Sequence, residues 1–510
     1  MGQTLYPTAI VAKAGLGGLV TDIDDDPASS DGNWCVVSGS GSAYSGSGAG
    51  TVAASTGSGA GTSGESGDEY SGFTPTIYAA PADVGSGNGS SEANAMDFPT
   101  ALATATAGDI IGVLPGVYSP ASTPSTDSWL PCWQPTNAGS SGNPIRVVAK
   151  YAAVHLAGLW SNSDRTELRN GYSGTVDGSG LSTFGSLNKD YIEWHGLCVD
   201  AAQSGPRTEK ALVTMNGCTG VKIHKCEIRG ATAQWSDNWS GVRYENCDDC
   251  DVIDCRIYNF YDTGGSHSWG ILMYGGENYE IAYNEIYDTY GGICPKGILG
   301  GYPQNSPGTI HHNLIHDVDV RHILVMGVNE DSVPGYVDVY QNVMYESGRF
   351  GISAAPPGAD TPRSVRFVNN TIVDCGSASG DGGCYLKPYT GSGYDGCVLQ
   401  NNIFASNYAG ILTDGNDVNP FDVIDRNLYS SSSLVFNGSN FATFQATGRE
   451  TNGTTGDPLF TNAGTRDYTL QAGSPALTLG RDLLSLNGTL NATIPAGAYI
   501  TGTETIGVRS

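Results

Sequence analysis

Short runs of alternating apolar and polar residues recur through the middle of this chain at a nearly constant interval. Val221-Lys-Ile-His-Lys-Cys-Glu-Ile, Ile281-Ala-Tyr-Asn-Glu-Ile, Ile310-His-His-Asn-Leu-Ile, Val339-Tyr-Gln-Asn-Val-Met and Phe367-Val-Asn-Asn-Thr-Ile are versions of one segment. Their shared polar position forms a ladder of Cys226, Cys255, Asn284, Asn313, Asn342, Asn370 and Asn402, spaced by 29, 29, 29, 29, 28 and 32 residues, and Asn427 follows 25 later. Such short runs, bounded by Gly, Asn and Asp, do not fit a 3.6-residue helical period, so each interval predicts one coil of several short strands. A fixed period of this size predicts that the coils stack. The expected fold is therefore all-β, a parallel β-helix in which residues one period apart lie above one another at strand spacing, roughly 4.8 Å. An Asn at each turn tolerates left-handed geometry and can bond its amide to the next rung. A second register, Ile271, Ile293, Ile323, Ile352, Cys384 and Ile411, most of them preceded by Gly, should fill the interior.

Composition fits such a chain. Gly occupies 72 of 510 positions, about twice the usual ~7%, as expected where the backbone turns often. At about 29 residues per coil, the body predicts a solenoid of about 12 coils and a rod on the order of 60 Å long. The formal charge of −27 excludes nucleic acid and anionic membrane as natural partners, since both require basic patches. Neutral glycans, cations and a protein socket stay open. No run approaches 18 apolar residues, so membrane insertion is not expected, and the first residues lack the pattern of a secretory signal. Of the 12 cysteines, Cys226 and Cys255 stand on the ladder and Cys294 and Cys384 in or beside the interior strand, which predicts buried thiols more than a disulfide framework. Cys247-Asp-Asp-Cys250 has zinc-knuckle spacing without a second ligand pair, so no metal site is assigned to it.

Three segments carry a resemblance to the right-handed, pectin-lyase-like β-helices. Gly108-Asp-Ile-Ile-Gly-Val-Leu-Pro-Gly-Val-Tyr118 resembles the first coil of that class, and Phe98-Pro-Thr-Ala-Leu-Ala before it resembles the short capping helix. The repeats are the second segment. Asp457-Pro-Leu-Phe460 with Asp467-Tyr-Thr-Leu-Gln-Ala-Gly-Ser-Pro-Ala476 resembles the closing coil. The resemblance covers roughly residues 77 to 480, and it implies a fold; one such scaffold hosts many activities.

The N-terminus differs in character. Thr21-Asp-Ile-Asp-Asp-Asp-Pro-Ala-Ser-Ser-Asp-Gly-Asn-Trp34 resembles the attachment regions of bacteriophage virion proteins, although such proteins usually continue into a β-sandwich and this chain enters a Gly/Ser/Ala/Thr tract over Ser38 to Gly72. The expected organisation is an attachment segment over 1–35, a linker over 36–76, the β-helix over 77–480 and a C-terminal cap or tail over 481–510. An ordinary N-terminal cap followed by a loop is the plainer alternative. The resemblance implies a tailspike-like or fibre-like appendage on the virion surface, joined to other virion proteins through its N-terminus, with a homotrimer expected by analogy.

Candidate chemistry follows from the register. Four residues past each rung stand Asn259, Asp288, Asp317, Glu346 and Asp374, an expected column of four carboxylates; three past stand Tyr258, Tyr287, His316 and Tyr345, an aromatic column beside it and candidate glycan-binding residues. Stacked carboxylates repel unless solvent, a cation, Arg or Lys, or a raised pKa relieves them. Adjacent rungs match the separation of a retaining glycoside hydrolase, and rungs two coils apart the inverting one. Oxygen-rich columns also suit Ca²⁺, and a solvated polar turn repeated with the coil gives the same pattern. Trp129, Cys132, Trp133 and Trp160 lie in long early loops and Trp235 and Trp239 in a later one, a composition that suits sugar stacking as well as loop packing.

Several lyases of the resembled class use a Lys base, often an Arg acid, and calcium, which draws attention to Lys296 and Arg321 on consecutive coils. Lys296 is three residues after its interior Ile and Arg321 two before its own, so five strand positions, roughly 17 Å, separate them. Arg321, His322 and Arg349 are expected nearer the acidic column, compensating it. No nucleophile elbow, phosphate loop or HExxH motif occurs in the sequence, so esterase, nucleotide and zinc-protease chemistry have no local support. Three functions remain open: a virion appendage that binds host-surface polysaccharide, with or without cleaving it; a free polysaccharide lyase or hydrolase; and a structural decoration protein without glycan affinity.

Overall fold

The computed structural model describes residues 69–510 except 121–129, 170–181, 202–209, 231–238, 262–267, 297–306, 327–335, 356–364, 379, 387–393, 414–420, 434, 488, 491, 503 and 510, and before residue 69 the strands Val20–Asp22 and Trp34–Val36. Two compact units divide the chain, Met1–Glu65 and Ser66–Ser510. In the first, Val20–Asp22 pairs antiparallel with Trp34–Val36; the acidic residues between them lie outside the described residues. Trp129 and Trp235 lie outside the described residues.

The second unit is a parallel β-solenoid. One sheet has 13 strands and another 19, and the long pairings in both are parallel. The register follows the period: Lys222 pairs with Asp251, Asp251 with Glu280, Glu280 with Thr309, and Thr309 with Asp338. The regular part has about 7 turns, fewer than the expected dozen. Parallel pairing continues before it, but Ile192 there lies over Ile145, so early coils consume extra residues in long connections. No helix among the described residues is long and apolar enough to cross a membrane. The short helix Phe98–Thr104 forms where expected, with the Asp97 carboxylate accepting from the Thr100 N–H at 3.1 Å, and it buries Phe98 over the first coils.

Two apolar columns fill the interior. Val242, Ile271, Ile293, Ile323, Ile352, Cys384 and Ile411 pair in succession and are buried, as the register requires. Ile228, Ile257, Ile286, Ile315, Met344, Ile372 and Phe404 form the second. The glycine before each residue of the first column stands where the two columns crowd: a Cβ on Gly351 would lie 2.4 Å from Ile372 Cγ2 and 2.6 Å from the Gly383 carbonyl oxygen. His322 occupies the matching place on its own coil. Its ring turns into the interior, where Nε2–H donates to the Tyr345 carbonyl at 2.9 Å and burial pulls its pKa down to about 3.

The Asn ladder differs from expectation by one position. The left-handed corner residues are those before the rungs, Asp254, Tyr283, His312, Gln341, Asn369, Asn401 and Arg426, whereas Asn284, Asn313, Asn342, Asn370, Asn402 and Asn427 point inward and are buried. Each Asn Nδ2 donates to the Oδ1 of the next at 2.9–3.0 Å, and each Oδ1 also accepts the preceding rung's backbone N–H. The bend frees backbone groups inside the coil, and the amide column satisfies them. Cys255 N–H joins the ladder at Asn284 Oδ1, and Glu450 ends it, its carboxyl accepting Asn427 Nδ2 and Tyr429 OH at 2.7 Å each. Cys218, Cys226, Cys247, Cys250 and Cys255 are buried thiols, and those of Cys247 and Cys250 donate to the carbonyls of Glu245 and Asp248.

The C-terminal residues do not close the rod as a last coil. Phe460–Asn462 and Asp467–Leu470 form an antiparallel hairpin, and the hairpin with the following chain packs on the outer face of the late coils, Tyr468, Ala476, Ala496 and Ala498 covering Val343, Tyr345, Val373, Ile403 and Leu428. The remaining strap runs back along the left-handed corners. Arg426 donates to the Leu479 carbonyl, Asn401 to Arg481, Asn369 to Pro495 and Gln341 to Ala498; Gly507 N–H donates to His312, and Arg509 reaches Asp254.

Candidate functional site

One outer face of the solenoid changes character along its length. The position directly after each rung is Glu227, Arg256 and Glu285 in the middle coils, then Leu314, Val343, Thr371, Ile403 and Leu428. The apolar stretch is buried under the C-terminal segment. At the early end the segment around Ala153–Ser161 crosses the same face: Trp160 lies over the Arg229 guanidinium at 4.0 Å and donates from Nε1 to Tyr258 OH at 2.9 Å. Between Trp160 and the Arg466–Tyr468 hairpin run the predicted carboxylate and aromatic columns, a strip in which Asp317 is exposed and Tyr258, Tyr287, Asp288, His316 and Glu346 are partly exposed.

Tyr258, Tyr287, His316 and Tyr345 stack with centroids 4.8, 5.0 and 4.9 Å apart and ring planes within 5°. The parallel register fixes this spacing, and it takes up the ring faces expected to hold sugars. Tyr287 and His316 are covered on both faces, and the outer face of Tyr345 meets Tyr468 and the Arg466 guanidinium at 4.8 Å. The column therefore offers ring edges and hydroxyls. Trp239 is no sugar platform either: it is buried, stacked on Phe260 inside the solenoid. Trp133 likewise packs on Phe98 and donates to the Arg169 carbonyl.

Asn259, Asp288, Asp317, Glu346 and Asp374 all have left-handed backbones, φ 50 to 64°, so this corner presents an amide and then four carboxylates on successive coils. The expected compensating residues are elsewhere. His322 is interior. Arg349 pairs with Asp381 at 3.0 Å. Arg321 stacks over Phe350 and Tyr385. The column is instead neutralised by His316, whose Nδ1 lies 2.7 Å from Asp317 Oδ2, and by Arg466, which pairs with Glu346. Among the described residues no group of three or more His, Cys, Asp or Glu is placed to hold a metal ion.

Behind these residues runs an ionic chain absent from the sequence reading. Arg256 donates to Glu227 at 2.9 Å and Glu285 at 2.7 Å, and His316 Nε2 lies 3.8 Å from Glu285. Glu285 is held down to about 2 although burial opposes this, because His316 and Arg256 favour its charge. Glu227, more deeply buried, has its pKa raised by burial. One signal was available: Glu227, Arg256 and Glu285 repeat at the ladder period with alternating charge. No local signal marks Arg466.

The carboxylates themselves split. The hydrogen bond from His316 holds the Asp317 pKa down. Glu346 is shifted up by burial and by its hydrogen bond with Asp317, against Arg466. Asp288 is shifted up by burial, with Tyr261 OH donating to it at 2.8 Å. Two adjacent acids with opposed shifts suit acid–base work.

Lys296 and Arg321 do not meet. Lys296 lies opposite Met326 and Arg321 opposite Gly291, five positions away along the paired strands. Lys296 Nζ contacts Tyr274 OH at 3.3 Å over that ring.

The family model of the right-handed β-helix region matches residues 211–422, and the solenoid is a right-handed parallel β-helix. No curated protein matches the chain. Among solved structures, pectate lyase Pel9A aligns with 85% of this chain and 98% of its own at 17% identity and TM-score 0.49. A rhamnogalacturonan lyase aligns with 76% and 87% at 13% identity and TM-score 0.43. A mutant tailspike protein of E. coli bacteriophage HK620, in complex with a pentasaccharide, aligns with 65% and 63% at 12% identity and TM-score 0.42.

Proposed function

We propose that this protein binds a polysaccharide along the strip between Trp160 and Arg466 and hydrolyses it with Asp317 and Glu346. The observation that carries the reading is the placement of these two carboxyls on adjacent coils, Asp317 bonded to His316 Nδ1 at 2.7 Å with its pKa held down and Glu346 with its pKa shifted up by burial. Adjacent rungs at roughly 4.8 Å approach the separation of ~5–5.5 Å used in retaining glycoside hydrolysis. Glu346 donates its proton to the leaving glycosidic oxygen while Asp317 bonds to the anomeric carbon. Water then displaces Asp317, giving its proton to Glu346. Hydrolysis is favoured over elimination because Lys296 and Arg321 do not converge on one sugar ring.

A virion setting is part of the proposal. It rests on the acidic Thr21–Trp34 segment and the separate N-terminal unit, which suit a particle-bound appendage engaging a host-surface glycan. The test is incubation with capsular polysaccharide and lipopolysaccharide of candidate hosts, following reducing ends and unsaturated-uronate absorbance. Reducing ends without absorbance, lost in Asp317→Asn and Glu346→Gln, support the reading. New absorbance replaces hydrolysis by elimination. Glycan binding without products leaves a binding rod, and neither leaves a structural one. Deleting residues 1–35 should abolish particle incorporation and leave the solenoid folded.

A further inference from the structure

We infer that His316 is a standing imidazolium, a positioning residue that keeps Asp317 ionised and so fit to act as the nucleophile. The inference deepens the proposed hydrolytic reading and rests on it for its catalytic meaning, but the charge state itself stands on geometry.

Both ring nitrogens of His316 are directed at carboxylates: Nδ1 lies 2.7 Å from Asp317 Oδ2 and Nε2 lies 3.8 Å from Glu285 Oε1. An ionised carboxylate only accepts, so Nδ1 donates to Asp317, and a second proton on Nε2 faces the Glu285 carboxylate at ion-pair distance, which is the charged ring. The ring cannot turn away. Tyr287 covers one face at 5.0 Å and 2°, Tyr345 the other at 4.9 Å and 5°, and aromatic faces on both sides also favour a cation.

The surrounding charges favour the same state. Glu285 and Asp288 face His316 from the preceding coil, Asp317 is its chain neighbour, and Glu346 lies beyond Asp317 on the following coil. Opposing them are Arg256, already shared between Glu227 and Glu285, and Arg466, paired with Glu346. His322 lies on the interior side with its pKa pulled down by burial, hence neutral. The two carboxylates nearest the ring, Asp317 and Glu285, favour its charged form. The pKa of His316 accordingly rises to about 9, against the desolvation that would lower it. With Asp317 held as the anion and the Glu346 pKa shifted up by burial, the proposed roles are Asp317 as nucleophile and Glu346 as acid.

Site-resolved NMR on the full-length protein tests this without any glycan. The His316 imidazole should titrate well above the ordinary histidine range, and the Asp317 carboxyl should titrate below that of Glu346. In His316→Gln the acid constant of Asp317 should weaken at least about tenfold, while His316→Lys, which restores a cation, should recover part of the order. A His316 titration at or below the ordinary value in the wild-type protein overturns the inference, as does an unchanged Asp317 titration in His316→Gln. If the titrations follow expectation and no glycan releases oligosaccharide, the hydrolytic reading fails and the His316 assignment stands. If cleavage occurs, its acid limb should move to higher pH in His316→Gln.

Discussion

Arg509 and Asp254 lie 255 residues apart in sequence and pair through two guanidinium nitrogens at 2.8 and 2.7 Å. The contact ties the end of the strap to an early coil, with the Arg509 guanidinium also 3.9 Å over the Tyr283 ring. Asp254 is buried whereas Arg509 is partly exposed, so removing the arginine strands a buried carboxylate. Arg509→Ala should cost about 1–2 kcal/mol and release amide-exchange protection over Pro495–Arg509 first, leaving the interior strands protected. Uniform loss of protection would refute a local role for the strap.

The amide ladder predicts a larger cost. Asn342 Nδ2 donates to Ile310 O and Asn370 Oδ1 at 2.9 Å each, and its Oδ1 accepts both Asn313 N–H and Nδ2. Asn342→Ala strands several of these groups without water, a penalty of about 3 kcal/mol, measurable as a lower midpoint in urea. A change below 0.5 kcal/mol would mean that the interior relaxes or admits water there.

Glu450 should make stability depend on pH. Its carboxyl is buried at the end of the ladder and desolvation pushes its pKa up to about 7 from 4.5. The folded protein then holds a proton that the unfolded chain releases, so this contribution is complete below about pH 4.5, falls as pH rises to about 7 and is lost above it. The loss should be on the order of 3 kcal/mol. Glu450→Gln should flatten that slope in denaturation midpoints taken from pH 5 to 7.5; an unchanged slope would assign it to other groups.

Arg466 sets the upper end of the proposed acid's range. It favours the charged form of Glu346, opposing the burial that raises that pKa. Arg466→Ala should therefore move the alkaline limb of glycan hydrolysis to higher pH. A downward shift would exclude Glu346 as the acid.

Much of this architecture is written locally. A period of 29 residues with a polar rung and an apolar rung specifies stacked coils, since each coil can bury its apolar side chains only against its neighbours. The same spacing places Tyr287, His316 and Tyr345, and Asp288, Asp317 and Glu346, above one another, and the charge alternation of Glu227, Arg256 and Glu285 could have been read from it. Spacing alone does not say which face of the backbone a rung occupies, and the Asn residues proved to lie inside the corner that the preceding residues make. Nor does it say that stacked rings use their faces on one another.

What only the tertiary structure decided is how the chain returns on itself. Arg466 reaches Glu346 across 120 residues and Arg509 reaches Asp254 across 255, contacts that depend on the shape and free hydrogen-bonding groups of a finished solenoid and leave no periodic trace. The carboxylate column is a property of the repeat, and the opposed pKa shifts of Asp317 and Glu346 are a property of the neighbours that folding brings to it.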